Sequence, residues 1–372
     1  MSDHNQQPQN NEEINPDLLD SPEEISKIDE NNVLGSIEAL PDQIRQGWEH
    51  SNQVKFAQST PINNVVVAGM GGSGLGPDVA KHLFKDELKV PLEVYNSYSL
   101  PGYVDQHSLV ILASYSGNTE EILSCAQQAL DKEAQIMAIT SGGELKKIAD
   151  KNDIPAYIIK PEHNPSNQPR MAIGYAIAGI MGLLNSAGVI EVDQASIDQT
   201  AKTVLTTAHQ CRVELEAETN PAKTLAFICT DRRPILVGAE FLSGAVHVAA
   251  NQFNENAKTF ADYKLLPEIN HHLMEGLKQP RTNRLDTLFF FFNSKLYHIR
   301  NQKRVTLTQE AVEKQHIQTL AINLDAETKL EQVFELITMM SYANFYLSIL
   351  YRIDPSLIPT VDWFKQELNK GS

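Results

Sequence analysis

Two short stretches carry the residue types that hold anions. The first is Gly69-Met70-Gly71-Gly72-Ser73-Gly74, behind the apolar run Val65-Val66-Val67-Ala68. Its bare backbone N–H groups and the Ser73 hydroxyl can approach a negative group closely. The second is Ser114-Tyr115-Ser116-Gly117-Asn118-Thr119-Glu120-Glu121, behind Leu109-Val110-Ile111-Leu112-Ala113. Three hydroxyls, on Ser114, Ser116 and Thr119, stand where a helix begins, and the unpaired N–H groups and dipole of that end favour a phosphate. A simple helix cap explains Ser116 or Thr119 taken singly. Two such turns at neighbouring strand ends favour phosphate binding.

The first turn also fits the GxGxxG pattern of dinucleotide folds. The acid that should follow about twenty positions on is Glu93, which falls inside the next apolar run rather than at its end. No Lys-Ser or Lys-Thr follows the glycines, so a Walker loop fails too. His271, His272 and Glu275 allow a metal reading, but HExxH is absent and adjacent histidines seldom aim both rings at one ion. No metal is expected.

Elements that place these turns follow from the hydrophobic pattern. Apolar runs at 65–68, 92–95, 109–113, 135–140 and 156–160 read as buried parallel strands, with helices at 77–85, 119–130 and 144–151 between them. The pattern recurs later: helices at 171–186 and 194–216, strands at 226–229, 235–237, 287–292 and 319–323, helices at 240–254 and 330–351. The expected architecture is α/β, with a mainly parallel, doubly wound sheet in each half. Short helices are expected at 32–39 and, behind Pro41, at 42–50. Pro77 is expected in the first turn of its helix, where its missing N–H costs nothing.

At 372 residues the chain is long enough for two domains. It carries a formal charge of −16, half of it in residues 1–32, where nine acids face one base. That balance disfavours nucleic-acid binding. Residues 1–27, rich in Gln, Asn, Glu and Pro, read as a disordered acidic tail. Three cysteines, none in a CxxC pair, fit a reducing cytoplasm. The apolar stretch 171–184 is shorter than the ~20 residues of a membrane span, and no signal-peptide pattern opens the chain; a soluble, cytoplasmic protein is expected.

The Ser-Tyr-Ser-Gly-Asn-Thr-Glu-Glu turn resembles that of the sugar isomerase (SIS) domain. With Gly69 to Gly74, Gln168-Pro169-Arg170, Asn254-Glu255-Asn256-Ala257-Lys258 and Pro267-Glu268-Ile269-Asn270-His271, the chain is similar to the bifunctional phosphoglucose/phosphomannose isomerase family from about residue 28 to about 368. The resemblance implies two SIS-type three-layer αβα domains of flavodoxin-like winding: 28–190 with the phosphate turns, and 191–372 with the catalytic Glu and His and a C-terminal helix. It further implies interconversion of glucose 6-phosphate, and of mannose 6-phosphate, with fructose 6-phosphate through ring opening and a cis-enediolate, without metal or cofactor.

By the same resemblance Glu255 is the base that moves a proton between C1 and C2, Arg170 stabilises the enediolate, and His271 opens the ring from the partner subunit of a homodimer. Lys365 assists ring opening, and Gly72, Ser73, Ser114, Ser116 and Thr119 hold the phosphate. Local readings stand beside these. Glu255 could pair with Lys258 or Thr259 along a helix, Arg170 could cap a surface loop, and Lys365 could be a solvated lysine. Asn251, Asn254 and Asn256, poor helix formers, suggest a polar cleft. A stripe of Val361, Phe364 and Leu368 is expected to dock the last helix and fix Lys365. The competing functions are a sugar-phosphate sensor, which needs an effector, an amidotransferase half, which needs a glutaminase domain, and a dehydrogenase, which rests on GxGxxG.

Overall fold

The computed structural model describes residues 14–368 and Lys370. After a 3-10 turn (Pro16–Asp20) come α1 (Pro22–Ile28), α2 (Val33–Glu38) and α3 (Leu40–Asn52). Strands and helices then alternate: β1 (Asn64–Gly69), α4 (Gly72–Leu83), β2 (Leu92–Tyr95), β3 (Ser108–Ala113), α5 (Glu120–Asp131), β4 (Gln135–Thr140), α6 (Gly143–Lys151) and β5 (Ala156–Ile158). Helices α7 (Ile173–Ser186), α8 (Gln194–Cys211) and α9 (Pro221–Cys229) lead to a second set. It comprises β6 (Arg233–Ala239), α10 (Ser243–Glu255), β7 (Asp262–Leu266), the short α11 (Leu273–Gly276) and α12 (Asn283–Asp286), β8 (Thr287–Ser294), α13 (Ile299–Glu313), β9 (Gln318–Leu324), α14 (Lys329–Leu350) and α15 (Pro359–Leu368).

The strands form two sheets, β2-β1-β3-β4-β5 and β7-β6-β8-β9, and every pairing is parallel. In each, the chain starts in an inner strand, pairs to one side and then to the other. That reversal opens a crevice at the carboxyl ends of the two inner strands, the position where ligands sit in such sheets. β1 and β3 are fully buried along most of their length, so side chains on both faces are apolar and only the loops beyond Gly69 and Ala113 are free for chemistry. Helix α14 is long and apolar enough to cross a bilayer, but 89% of its apolar window is buried within the fold. It packs against α8, α9 and α10 as a core helix.

Four expectations change. Of the tail expected to be disordered, residues 1–13 lie outside the described residues, but 14–27 form ordered elements. Asn15 and Ser21 cap turns that begin at Pro16 and Pro22, and Leu18, Leu19 and Ile25 are buried. The fully buried Lys223 reaches Asp20 at 2.8 Å and also donates to the carbonyls of Val213 and Leu215. The run 226–229 is the end of helix α9, not a strand. A short apolar run does not reveal its period, and here Asn220 accepts from the N–H groups of Ala222 and Lys223 and starts a helix upstream. Strand β7 escapes the pattern because it is an edge strand of mixed, half-buried side chains. Pro77 sits inside α4 rather than in its first turn, so it withholds an N–H from the Ser73 carbonyl one turn back.

Candidate active site

The two anion-suited turns face each other across the β1–β3 crevice. Gly71, with φ +50°, turns the chain out of β1 so that α4 begins at Gly72. No side chain caps α4, and none caps α5, whose N-cap residue is Thr119. The Thr119 hydroxyl instead shares a 2.8 Å hydrogen bond with the buried Ser114 hydroxyl, which also accepts from Gly117 N–H at 3.1 Å. The turns are tied together by Tyr115 N–H, which donates to Ser73 Oγ at 2.9 Å. Gly72, Ser73 and Ser114 line one small cavity with Pro169. Ser116 is exposed at the rim, accepting from Asn118 N–H. Two helix ends without side-chain caps and three converging hydroxyls form a cradle for a dianionic group. Glu93 pairs with Lys81 at 3.2 Å and lies within β2, away from the strand's carboxyl end, which removes the ribose contact a dinucleotide would need.

Arg170 is seated directly on this cradle. A Cβ added at Gly72 would lie 3.4 Å from Arg170 Cα, so the turn and the arginine backbone pack at van der Waals distance. The arginine is 4% exposed, which excludes the surface loop cap. Its Nε donates to Asn256 Oδ1 at 2.6 Å, its Nη2 to the carbonyls of Pro355 and Ser356 at 2.7 and 2.9 Å, and its Nη1 to Gln168 Oε1 at 3.0 Å. A guanidinium has five N–H bonds. Four are thus used, and the remaining one is on Nη1, which stands 3.8 Å from Glu255 Oε2. That separation is too long for a hydrogen bond and leaves the two groups side by side.

Glu255 ends α10, and α10 is clamped onto α4, the helix of the glycine turn. A Cβ at Gly244 would come within 2.5 Å of Val79 Cα, and Asp78 of α4 meets His247 of α10 at 2.9 Å and His82 at 3.4 Å. Burial would raise the Asp78 carboxyl, but the hydrogen bonds from His247 and His82 overcome it and hold the group well below the usual range. Burial pushes the Glu255 carboxyl up, against the opposing pull of Arg170, Lys365 and Lys258. Its place at the negative end of a helix works in the same upward direction. The outcome is a carboxylate made more basic than an ordinary glutamate and left partly open to solvent, the description of a general base.

Lys258 does not pair with Glu255 along the helix. Its Nζ donates to the carbonyls of Asn256, Asp354 and Pro355, and burial together with Arg170 brings its ammonium down to about 8. Asn256 turns inward and is wholly buried rather than lining an open cleft, whereas Asn254 is exposed and ties Ala250 to Ala261. The crowd of asparagines was a signal for this ring of bonds. The carbonyls of residues 354–356, being backbone, gave none.

Lys365 lies on α15, close enough for its charge to act on Glu255. Lys370 is paired with Glu367 instead. The apolar stripe of α15 does not dock within this chain: Val361, Phe364 and Leu368 are 39%, 57% and 51% exposed, and Trp363 beside them 59%. The bonds to residues 354–356 hold the chain just before the helix, and none of the residues of α15 is buried among the described residues. His271 is exposed in the turn after β7, while His272 pairs with Glu268 at 2.7 Å. The structure therefore brings together Gly72, Ser73, Ser114, Thr119, Arg170 and Glu255, with Lys365 at the edge. It does not bring His271 to them within one chain.

Comparison with known proteins agrees with this layout. Residues 60–179 match the SIS domain family, and residues 218–368 match the bacterial phospho-glucose isomerase C-terminal SIS domain. The chain is 33% identical over 346 residues to a bifunctional phosphoglucose/phosphomannose isomerase of Caldicellulosiruptor bescii, covering 90% of this chain and 98% of that one. It is 27% identical to the protein of the same name in Aquifex aeolicus, over 84% of this chain and 92% of the relative. A crystal structure of a hypothetical protein from Thermus thermophilus superposes with a TM-score of 0.72 at 17% identity, over 95% of this chain and 94% of that one, which speaks for the fold.

Proposed function

The chain belongs to the bifunctional phosphoglucose/phosphomannose isomerase family, and we propose that it interconverts glucose 6-phosphate and mannose 6-phosphate with fructose 6-phosphate. The observation that carries this reading is the Arg170–Glu255 pair, 3.8 Å apart and packed against a phosphate cradle. In the proposed reaction the 6-phosphate is held by Gly72, Ser73, Ser114, Ser116 and Thr119 at the starts of α4 and α5. His271 and Lys365 open the ring. Glu255 then takes the proton from C2, and negative charge develops on the O1 and O2 side of the enediolate, where the remaining Arg170 N–H lies. Glu255 returns the proton to C1, and the hydroxyl proton passes from O2 to O1, so the ketose forms with no net change in atoms or electrons. Arg170 cannot act as a competing acid, because its guanidinium stays protonated at working pH.

His271 enters this scheme from a second copy of the chain. Two features support a homodimer as the catalytic unit: His271 is exposed beyond the carboxyl end of β7 whereas Glu255 ends the helix that precedes that strand, and the apolar side of α15 is uncovered. His271→Ala should slow turnover of the closed-ring sugar more than that of the open-chain form, measured with and without ring-opening pre-equilibration. Equal losses would remove the ring-opening role. We place the protein in the cytoplasm, in line with three free, buried cysteines.

Changing Ser114 and Ser116 together to Ala removes two hydrogen bonds to a charged group, worth about 1.5 to 3 kcal/mol each. KM for the sugar phosphate should rise on the order of 10²-fold or more, with kcat much less affected. An unaltered KM would put the phosphate elsewhere. A coupled assay on chelator-treated protein, run separately from glucose 6-phosphate and from mannose 6-phosphate, tests the function itself. Formation of fructose 6-phosphate from both is expected. Tight sugar-phosphate binding with no turnover of either would instead indicate a sensor.

A further inference from the structure

A buried guanidinium beside a carboxylate normally forks onto it, with two parallel hydrogen bonds. Such a clamp would hold Glu255 ionised and weakly basic, and would occupy the face on which the substrate must sit. Here the clamp is absent, and the reason lies in a line of polar side chains behind the arginine. Asn256 accepts from Arg170 Nε and donates through Nδ2 to Asn344 Oδ1 at 2.8 Å. Asn344 in turn donates to the Met340 carbonyl and, at 3.4 Å, to Gln252 Oε1, which also accepts from Ser341 Oγ at 2.8 Å. Gln252, Asn256, Ser341 and Asn344 are each 3% exposed or less.

This relay is a poor means of stabilising α10 against α14. Buried amides need all their partners, and each one missing costs about 1–3 kcal/mol. The Gln252 amide nitrogen is buried with no acceptor. Well-packed leucine or methionine at these positions would join the helices without that penalty. What the relay does supply is direction: it fixes Arg170 Nε on Asn256 rather than on Glu255, while Pro355 and Ser356 hold Nη2.

We propose that Asn256, backed by Asn344, is a positioning residue that holds the Arg170 guanidinium off the Glu255 carboxylate and leaves a single N–H for the substrate oxygen. The inference rests on the isomerase reading above. Removing Asn256 frees Nε, lets the guanidinium rotate onto Glu255, and converts the 3.8 Å approach into a bidentate pair. The base then becomes more acidic, so the acid limb of the pH–rate profile moves to lower pH while the maximal rate falls.

The test is Asn256→Ala, with kcat, KM and the pH dependence of kcat/KM for glucose 6-phosphate measured against wild type. A loss in kcat on the order of 10²-fold is expected, as for misplacement of a catalytic group by about 1 Å. KM should change little and the acid limb should shift downward. Asn344→Ala should move the limb in the same direction by less, and it keeps the test open if the first variant does not fold. A folded variant with an unmoved acid limb would overturn the positioning role, because a merely structural residue lowers stability without altering the titration of the base. Absence of turnover in the wild type would instead fail the isomerase reading.

Discussion

Glu255→Gln is expected to lower kcat by ~10² to 10⁴-fold, the range a positioned general base contributes, while the protein folds normally and still binds sugar phosphates. The substitution preserves volume at the end of α10 and removes only the proton-accepting carboxylate. Binding should hold or tighten, because Arg170, Lys258 and Lys365 then lack their counter-charge near an anionic ligand. Steady-state assays in both directions, with a binding isotherm for fructose 6-phosphate, measure the two parts. A loss smaller than about tenfold would take the base role from Glu255.

Arg170→Ala should cost ~10² to 10³-fold in kcat, as for removal of one donor to a developing oxyanion. It should also destabilise the fold, since Asn256 Oδ1 and the Ser356 carbonyl lose the arginine as donor and the Pro355 carbonyl is left with Lys258 alone. The pH dependence gives a sharper check. In the proposed reaction Glu255 acts as a base only when ionised, so activity should rise with pH as its carboxyl loses the proton. Burial already raises that carboxyl, and Arg170 is the first of the cations that pull it down. Without Arg170 the acid limb must move to higher pH, opposite in sign to the shift expected for Asn256→Ala. A limb that stays in place would mean that Arg170 does not act on Glu255.

The two turns proposed to hold the phosphate are the most legible part of the molecule. A glycine turn and a hydroxyl turn behind two apolar runs are local signals, and parallel sheet topology brings their ends together whatever the details of the loops. The strands of the first sheet could be read for the same reason: β1, β3 and β4 are apolar on both faces, as strands covered by helices must be. The second half was harder. Ala226-Phe227-Ile228-Cys229 is too short to reveal a period, and the helix that claims it starts at the Asn220 cap. Edge strand β7, Asp262–Leu266, mixes charged and apolar residues because one of its sides is unpaired.

Long-range features left the least trace. Glu255 and Arg170 stand 85 residues apart, and only family resemblance suggested that they meet. The stripe of Val361, Phe364 and Leu368 looked like a docking face, yet amphipathicity says that a helix will be covered without saying by what. The ordering of residues 14–27 depends on the turn that holds Leu18 and Leu19 packing against α14, far along the chain, and on Asp20 meeting Lys223, 203 positions away.

Proton transfer through an enediolate at Glu255 is tested most directly by running the isomerisation of fructose 6-phosphate in deuterium oxide and following the label by NMR. Deuterium should enter C2 of the glucose 6-phosphate formed and C1 of the recovered fructose 6-phosphate, because the carboxyl of Glu255 exchanges with solvent between accepting and returning the proton. The Glu255→Gln variant should lose this exchange together with turnover. Brisk isomerisation with no deuterium in either sugar would mean that hydrogen moves directly between C1 and C2, and would contradict the assignment of Glu255 as the base.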